Sequence, residues 1–182
     1  MSEQDAPLET MWEGRFLKAM RRGRWEYASR TRGIEAAVIL AVDPEDHVLL
    51  VEQYRVPLGR RCLELPAGLI GDEDEGEALE VAAARELEEE TGYRAERIEA
   101  LGKFHASPGM VSEGFTLVRA HGLAKVGDGG GAGDEDITVH RVPMAEVAAF
   151  VAAKRAEGVA MDVKMLLLLA PSLLAANGQR SR

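Results

Sequence analysis

Two apolar runs set the pattern of this chain. EAAVILAV (35–42) and VLLVEQYR (48–55) are rich in Val, Ile and Leu and flank the tetrapeptide Asp43-Pro44-Glu45-Asp46, whose residues favour turns. The pattern predicts a hairpin of two central strands, because runs apolar on both faces belong inside a sheet. Upstream, MWEGRFLKAMRRGRWEYASR (11–30) predicts two shorter strands about Arg21-Arg22-Gly23-Arg24, with Phe16, Trp25 and Tyr27 as strand-favouring residues. Further strands are predicted over 98–104, 115–120 and ITVHRVP (137–143). Elsewhere the period changes. Leu79, Ala82, Ala83, Glu86 and Glu90 share one face of a helix that Gly92 stops. Val147, Phe150 and Val151 mark a helix over 144–157 that ends at Gly158, and 162–176 forms another that is apolar nearly all round, as for packing on a sheet or on a partner subunit. Residues 177–182 are expected to fray. Strands and helices mix along the chain with no repeat or dividing linker, so one α/β domain over 1–182 is expected.

Composition narrows the class. With 182 residues, 46% of them hydrophobic, the chain can bury one core. Its lone cysteine, Cys62, forms no internal disulfide and fits a reducing cytoplasm as a packed thiol. The start MSEQDAPLETMWEG does not read as a secretory signal, and the apolar run 165–170, ended by Pro171, is too short to span a bilayer. A net charge of −9 argues against nucleic acid or an anionic membrane as partner. The same charge repels a phosphate-bearing substrate unless bound cations and local arginines reverse the field at the site.

The chemistry concentrates at Arg85-Glu86-Leu87-Glu88-Glu89-Glu90-Thr91-Gly92. Glu86 and Glu90 lie one above the other on the face that must be buried, with Glu89 beside them. An ionised carboxylate there is costly without a compensating charge, and a divalent cation supplies one. Such a run taken alone is more often a solvated face. The wider spacing argues otherwise: Gly71, Glu77, Arg85-Glu86-Leu87, Glu89-Glu90, Gly92 and Tyr93 fit G-x5-E-x7-R-E-U-x-E-E-x-G-U, where U is bulky and apolar. This resembles the Nudix box. The first glycine of the box is either Gly71 or, by comparison with the phrase Pro66-Ala67-Gly68, Gly68.

The resemblance implies an α/β/α sandwich around a mixed sheet, preceded by an N-terminal antiparallel hairpin (about residues 1–32) engaged in dimer contact. It implies hydrolysis of a nucleoside diphosphate linked to another group, with Mg²⁺ or Mn²⁺ held by Glu86, Glu89, Glu90 and the carbonyl of Ala67. Arg85 would orient the acids and Glu77 would support the loop. Gln53-Tyr54-Arg55, Glu64-Leu65-Pro66-Ala67-Gly68, Ser107-Pro108-Gly109 with Glu113, and Glu135-Asp136-Ile137 resemble the ADP-ribose pyrophosphatase branch. By that resemblance Arg55 contacts the phosphates or terminal sugar, Glu113 lies near the terminal ribose, and Glu135 is the loop carboxylate that completes the metal site or activates water, with Glu89 the other catalytic candidate. Asp134 and Asp136 are neighbours able to stand in for Glu135. Trp25 and Tyr27 are candidates to stack on the base, from the partner subunit of a homodimer. The glycine-rich stretch before Glu135 (127–133) is expected to be a mobile lid. The substrate expected is a nucleoside diphosphate sugar; the rival readings are a nucleoside triphosphate pyrophosphohydrolase and a non-catalytic nucleotide sensor.

Overall fold

The structure, a computed structural model, describes residues 3–32, 35–71, 76–133 and 135–175. The chain opens with β1 (Leu8–Glu13), β2 (Leu17–Arg22) and β3 (Trp25–Arg30), an antiparallel three-stranded sheet. The predicted turn at Gly23-Arg24 joins β2 to β3, and β1 adds a third strand that alternation alone did not reveal. Then come β4 (Glu35–Ala41), β5 (His47–Arg55), β6 (Arg60–Glu64) and β7 (Ala67–Ile70). Helix α1 (Leu79–Thr91) follows, and beyond it β8 (Tyr93–Arg94), β9 (Arg97–His105), β10 (Gly114–His121), β11 (Ala124–Lys125) and β12 (Thr138–Pro143). Helix α2 (Val147–Ala156), β13 (Ala160–Met161) and α3 (Leu166–Ala175) complete the described chain. The expected continuation of α3 to Ala176 and the fraying of 177–182 lie outside the described residues.

Two four-stranded sheets form the middle of the molecule, in the orders β7-β4-β10-β9 and β12-β5-β6-β13. Each is mixed, since β10 runs parallel to β4 and β13 parallel to β6. Strand β4 is buried on both faces. Ala37, Ile39 and Ala41 pack with Ala83 and Leu87 of α1, while Val38 and Leu40 pack with Leu50 and Leu63 and, beyond them, Val147 and Val151 of α2 and Leu169 of α3. The helices thus flank the sheets as an α/β/α sandwich. None is long and apolar enough to cross a membrane among the described residues.

The expected hairpin of residues 35–42 with 48–55 is corrected. Asp43 closes the turn by accepting the backbone N–H groups of Glu45 (2.9 Å) and His47 (3.0 Å). The strands then part into different sheets, sharing only the bridge between Val42 and Val48. Each finds partners far along the chain, β4 in β7 and β10, β5 in β6 and β12. A run apolar on both faces announces a central strand but not its neighbour.

The glycine-rich stretch is corrected too. Expected as a slack lid, it is docked on the carboxyl end of α1, where a helix leaves carbonyls without intrahelical partners. Gly92 turns left-handed there (φ 72°) and donates to Glu88 O. The loop supplies the remaining donors: Val126 and Gly127 to Gly92 O, Gly130 to Glu90 O (2.9 Å) and Gly131 to Glu89 O (3.0 Å). Gly129 is needed twice over. Its φ is +70°, and a Cβ would lie 2.6 Å from Glu90 O. Gly129→Ala should therefore lower unfolding free energy by about 1–3 kcal/mol, measured by urea denaturation; an unchanged midpoint would show the docking to be dispensable.

Candidate active site

The last turns of α1, strands β6 and β7 and the end of the glycine loop converge on a cavity of 410 Å³. It gathers Arg55, Ala67, Glu86, Glu90, Glu113 and Glu135, six of the residues singled out from sequence. Glu89 is not in its lining. Trp25 and Tyr27 are also elsewhere, against Pro108 and Gly109 in a pocket of 370 Å³ that meets the first at Val111.

Glu90 is the most confined acid of the set, only 5% exposed, and its Oε2 accepts the backbone N–H of Ala67 at 3.0 Å. Burial pushes its pKa up to about 8, reinforced by the negative charges of Glu86 and Glu135 and opposed by the Ala67 N–H and Arg55. One turn earlier, the Glu86 carboxyl lies against Gly68, where any Cβ would overlap it. Gly71 follows the same strand with φ 79°. Both glycines are thus required, Gly68 by the space Glu86 occupies and Gly71 by backbone conformation.

The arginines beside these acids are already engaged. Arg85 reaches Glu86 (3.2 Å) and Glu89 (3.2 Å), so it orients the acids as expected, and Glu77, expected to support the loop, instead pairs with Arg85 (3.4 Å). Arg55 forks onto Glu64 through Nε (2.6 Å) and Nη2 (2.8 Å), and this pairing raises its pKa. The carboxylates of Glu86, Glu90 and Glu135 therefore crowd one cavity with too little fixed positive charge to balance them. Hard oxygen donors in excess are a donor set for a divalent cation. A second acidic cluster, Asp43 and Glu45 with His47, differs in that Arg141 already bonds both carboxylates.

The loop acids separate in space. Glu135 lines the cavity, its Oε2 accepting the N–H of Ala132 at 3.0 Å. Asp136 is held by Arg61 through its carboxylate (2.8 Å) and its carbonyl (3.3 Å). Arg61 is itself fixed on the buried Glu52 (2.9 Å), which also takes His140 and Lys154 at 3.0 Å. Asp134 lies outside the described residues. Cys62 is a packed thiol, 2% exposed, its pKa pushed up to about 12 by burial and by Glu64.

Sequence reasoning missed Arg30, Glu64 and Lys164 in the cavity wall and Arg61 behind it. Glu64 stood within a quoted phrase and could have been found there. Arg30 closes a hairpin strand, and Lys164 comes from the carboxyl-terminal segment, where no local pattern pointed inward.

The NUDIX domain family profile matches residues 31–161, from just before β4 to the end of β13. The chain belongs to the Nudix hydrolase family. The methanol dehydrogenase activator of Bacillus methanolicus is 33% identical over 160 residues, covering 84% of this chain and 85% of that protein. The ADP-ribose pyrophosphatase of Bacillus subtilis (strain 168) is 44% identical over 78 residues, 43% of this chain and 40% of its own length. A crystal structure of an ADP compounds hydrolase matches with a TM-score of 0.67 at 25% identity, over 96% of this chain and 95% of that one. The acid-rich end of α1 is thus the Nudix helix, seated in this protein on the docked glycine loop.

Glu90 carries a consequence for stability. The unfolded chain releases this proton near the ordinary 4.5, whereas the metal-free fold holds it to about 8. Its contribution is complete below the first value and is lost as the pH rises through the second. In EDTA, the Tm of Glu90→Gln relative to the unsubstituted protein should rise between about pH 5 and 9, followed by scanning calorimetry; a pH-independent difference would contradict the burial of this charge.

Proposed function

We propose that this Nudix hydrolase cleaves the diphosphate of ADP-ribose, or of a related nucleoside diphosphate sugar, to a nucleoside monophosphate and a sugar phosphate. The observation that carries the reading is the set of under-neutralised carboxylates, Glu86, Glu90 and Glu135, facing one cavity beside Arg55 and Glu113. The relative named ADP-ribose pyrophosphatase and the structural match titled ADP compounds hydrolase support the substrate class.

Glu86, Glu89 and Glu90, with the Ala67 carbonyl, would hold Mg²⁺ or Mn²⁺. When bound, the cation neutralises phosphate charge and lowers the pKa of the attacking water. Glu135 takes the proton as the water oxygen attacks phosphorus and the bridging P–O bond breaks, with Glu89 as the second acid able to serve. Arg55 keeps Nη1 free of its fork with Glu64, and that edge meets the phosphates. Glu113, held by Arg30, accepts hydroxyls of the terminal ribose.

Trp25 and Tyr27 offer flat apolar faces for the base. Their separation from the acidic cavity in one chain favours delivery from a second copy. The N-terminal sheet supports a homodimer, because Leu8, Met11, Trp12, Leu17 and Trp25 are exposed on its three strands. The packed Cys62 thiol is in keeping with a reducing cytoplasm.

Replacing Glu86 or Glu90 by Gln should lower turnover of ADP-ribose by orders of magnitude at saturating Mg²⁺ while the fold survives. Glu135→Gln should lower kcat with little effect on KM. A panel of ADP-ribose, GDP-mannose, UDP-sugars and ATP, with the nucleoside monophosphate product quantified by chromatography, checks the class. Unchanged turnover in the helix variants, or preference for ATP, refutes the reading.

A further inference from the structure

Beyond the wall formed by Arg30, Glu113, Gly114 and Phe115 lies a second cavity, of 520 Å³, that shares those four residues with the catalytic one. Its charge is of the opposite sign. Lys18, Arg30, Arg32 and Lys103 face it, against the carboxylates of Glu35 and Glu113 alone. In a chain of net charge −9 this is a local reversal of field. Two of the cations are accounted for, Lys103 by Glu35 at 2.6 Å and Arg30 by Glu113. Lys18, half-buried on β2, and Arg32, just past β3, have no carboxylate partner among the described residues. An ammonium and a guanidinium left unneutralised in one concave surface are a ready site for a dianion, since both make charge-assisted hydrogen bonds to phosphate oxygens.

The position of this annexe decides what brings the anion. It begins at Glu113, where the proposed reading seats the terminal sugar, and it runs away from the metal-binding carboxylates. A group entering it is therefore attached to the sugar and is distinct from the scissile diphosphate. We propose that the annexe binds a phosphate monoester on the terminal sugar, so that the enzyme prefers nucleoside diphosphate sugars phosphorylated at that end. The inference rests on the placement of the sugar at Glu113 given above.

The test compares ADP-ribose with ADP-ribose carrying a phosphate on its terminal ribose, using the full chain and Mg²⁺. The phosphorylated substrate should show kcat/KM at least about tenfold higher, expressed in KM, as expected for one charge-assisted contact or more. The double variant Lys18→Gln, Arg32→Gln should lose that preference and leave kcat/KM for ADP-ribose unchanged. Calorimetric affinities of the two compounds for the metal-free protein give the same comparison without turnover. Equal kcat/KM and equal affinity for both compounds, or a double variant that weakens both alike, overturns the proposal. Failure to cleave either compound while the affinity difference persists refutes the catalytic reading and leaves the annexe standing.

Discussion

A carboxylate charge buried without a fixed counter-charge is the constraint around which this molecule is built. Glu90 lies in the closing turn of α1, where the helix dipole already presents partial negative charge and acids are disfavoured. Desolvation adds a penalty of several kcal/mol for an ionised group, and Glu86 and Glu135 add repulsion. No local rule of helix construction favours this placement. Proteins break such rules at functional sites, where a ligand supplies what the chain withholds, and the proposed divalent cation would do so here.

Much of the surrounding structure keeps that unfavourable arrangement rigid. The glycine loop caps the carbonyls of Glu89, Glu90 and Gly92, at the helix end that carries the Glu90 side chain into the cavity, so helix end and loop are registered atom to atom. Arg85 spans Glu77, Glu86 and Glu89 and fixes the open flank. On the far side, Glu52 anchors Arg61, Arg61 clamps Asp136, and the residue before it, Glu135, is thereby fixed at the cavity. The opposed acids thus come from two segments held by separate networks.

The parts legible in sequence were those written in local spacing. The 3.6-residue period placed Glu86 and Glu90 on the buried face of α1, and Gly92 stopped the helix where expected. Six of the nine candidate residues meet in one cavity because fixed motifs lie at the ends of neighbouring strands and of α1. What local pattern could not carry was partnership across distance. The two apolar runs read as a hairpin because they adjoin in sequence, yet β4 and β5 close different sheets. Glycine content suggested slack, and only the three-dimensional approach to the Glu90 carbonyl shows why side chains are excluded there. Arg30 and Lys164 reach the cavity from strand and tail positions with no motif around them.

The central claim is that the cation replaces a proton on the α1 carboxylates. Calorimetric titration of the metal-free protein with Mg²⁺ near pH 7, repeated in buffers of different ionisation enthalpy, measures this directly, since a ligand protonated up to about 8 must release its proton to bind metal. Release of close to one proton per protein, abolished in Glu90→Gln, is the result expected. Tight Mg²⁺ binding with no proton release, or release that survives Glu90→Gln, would contradict the account.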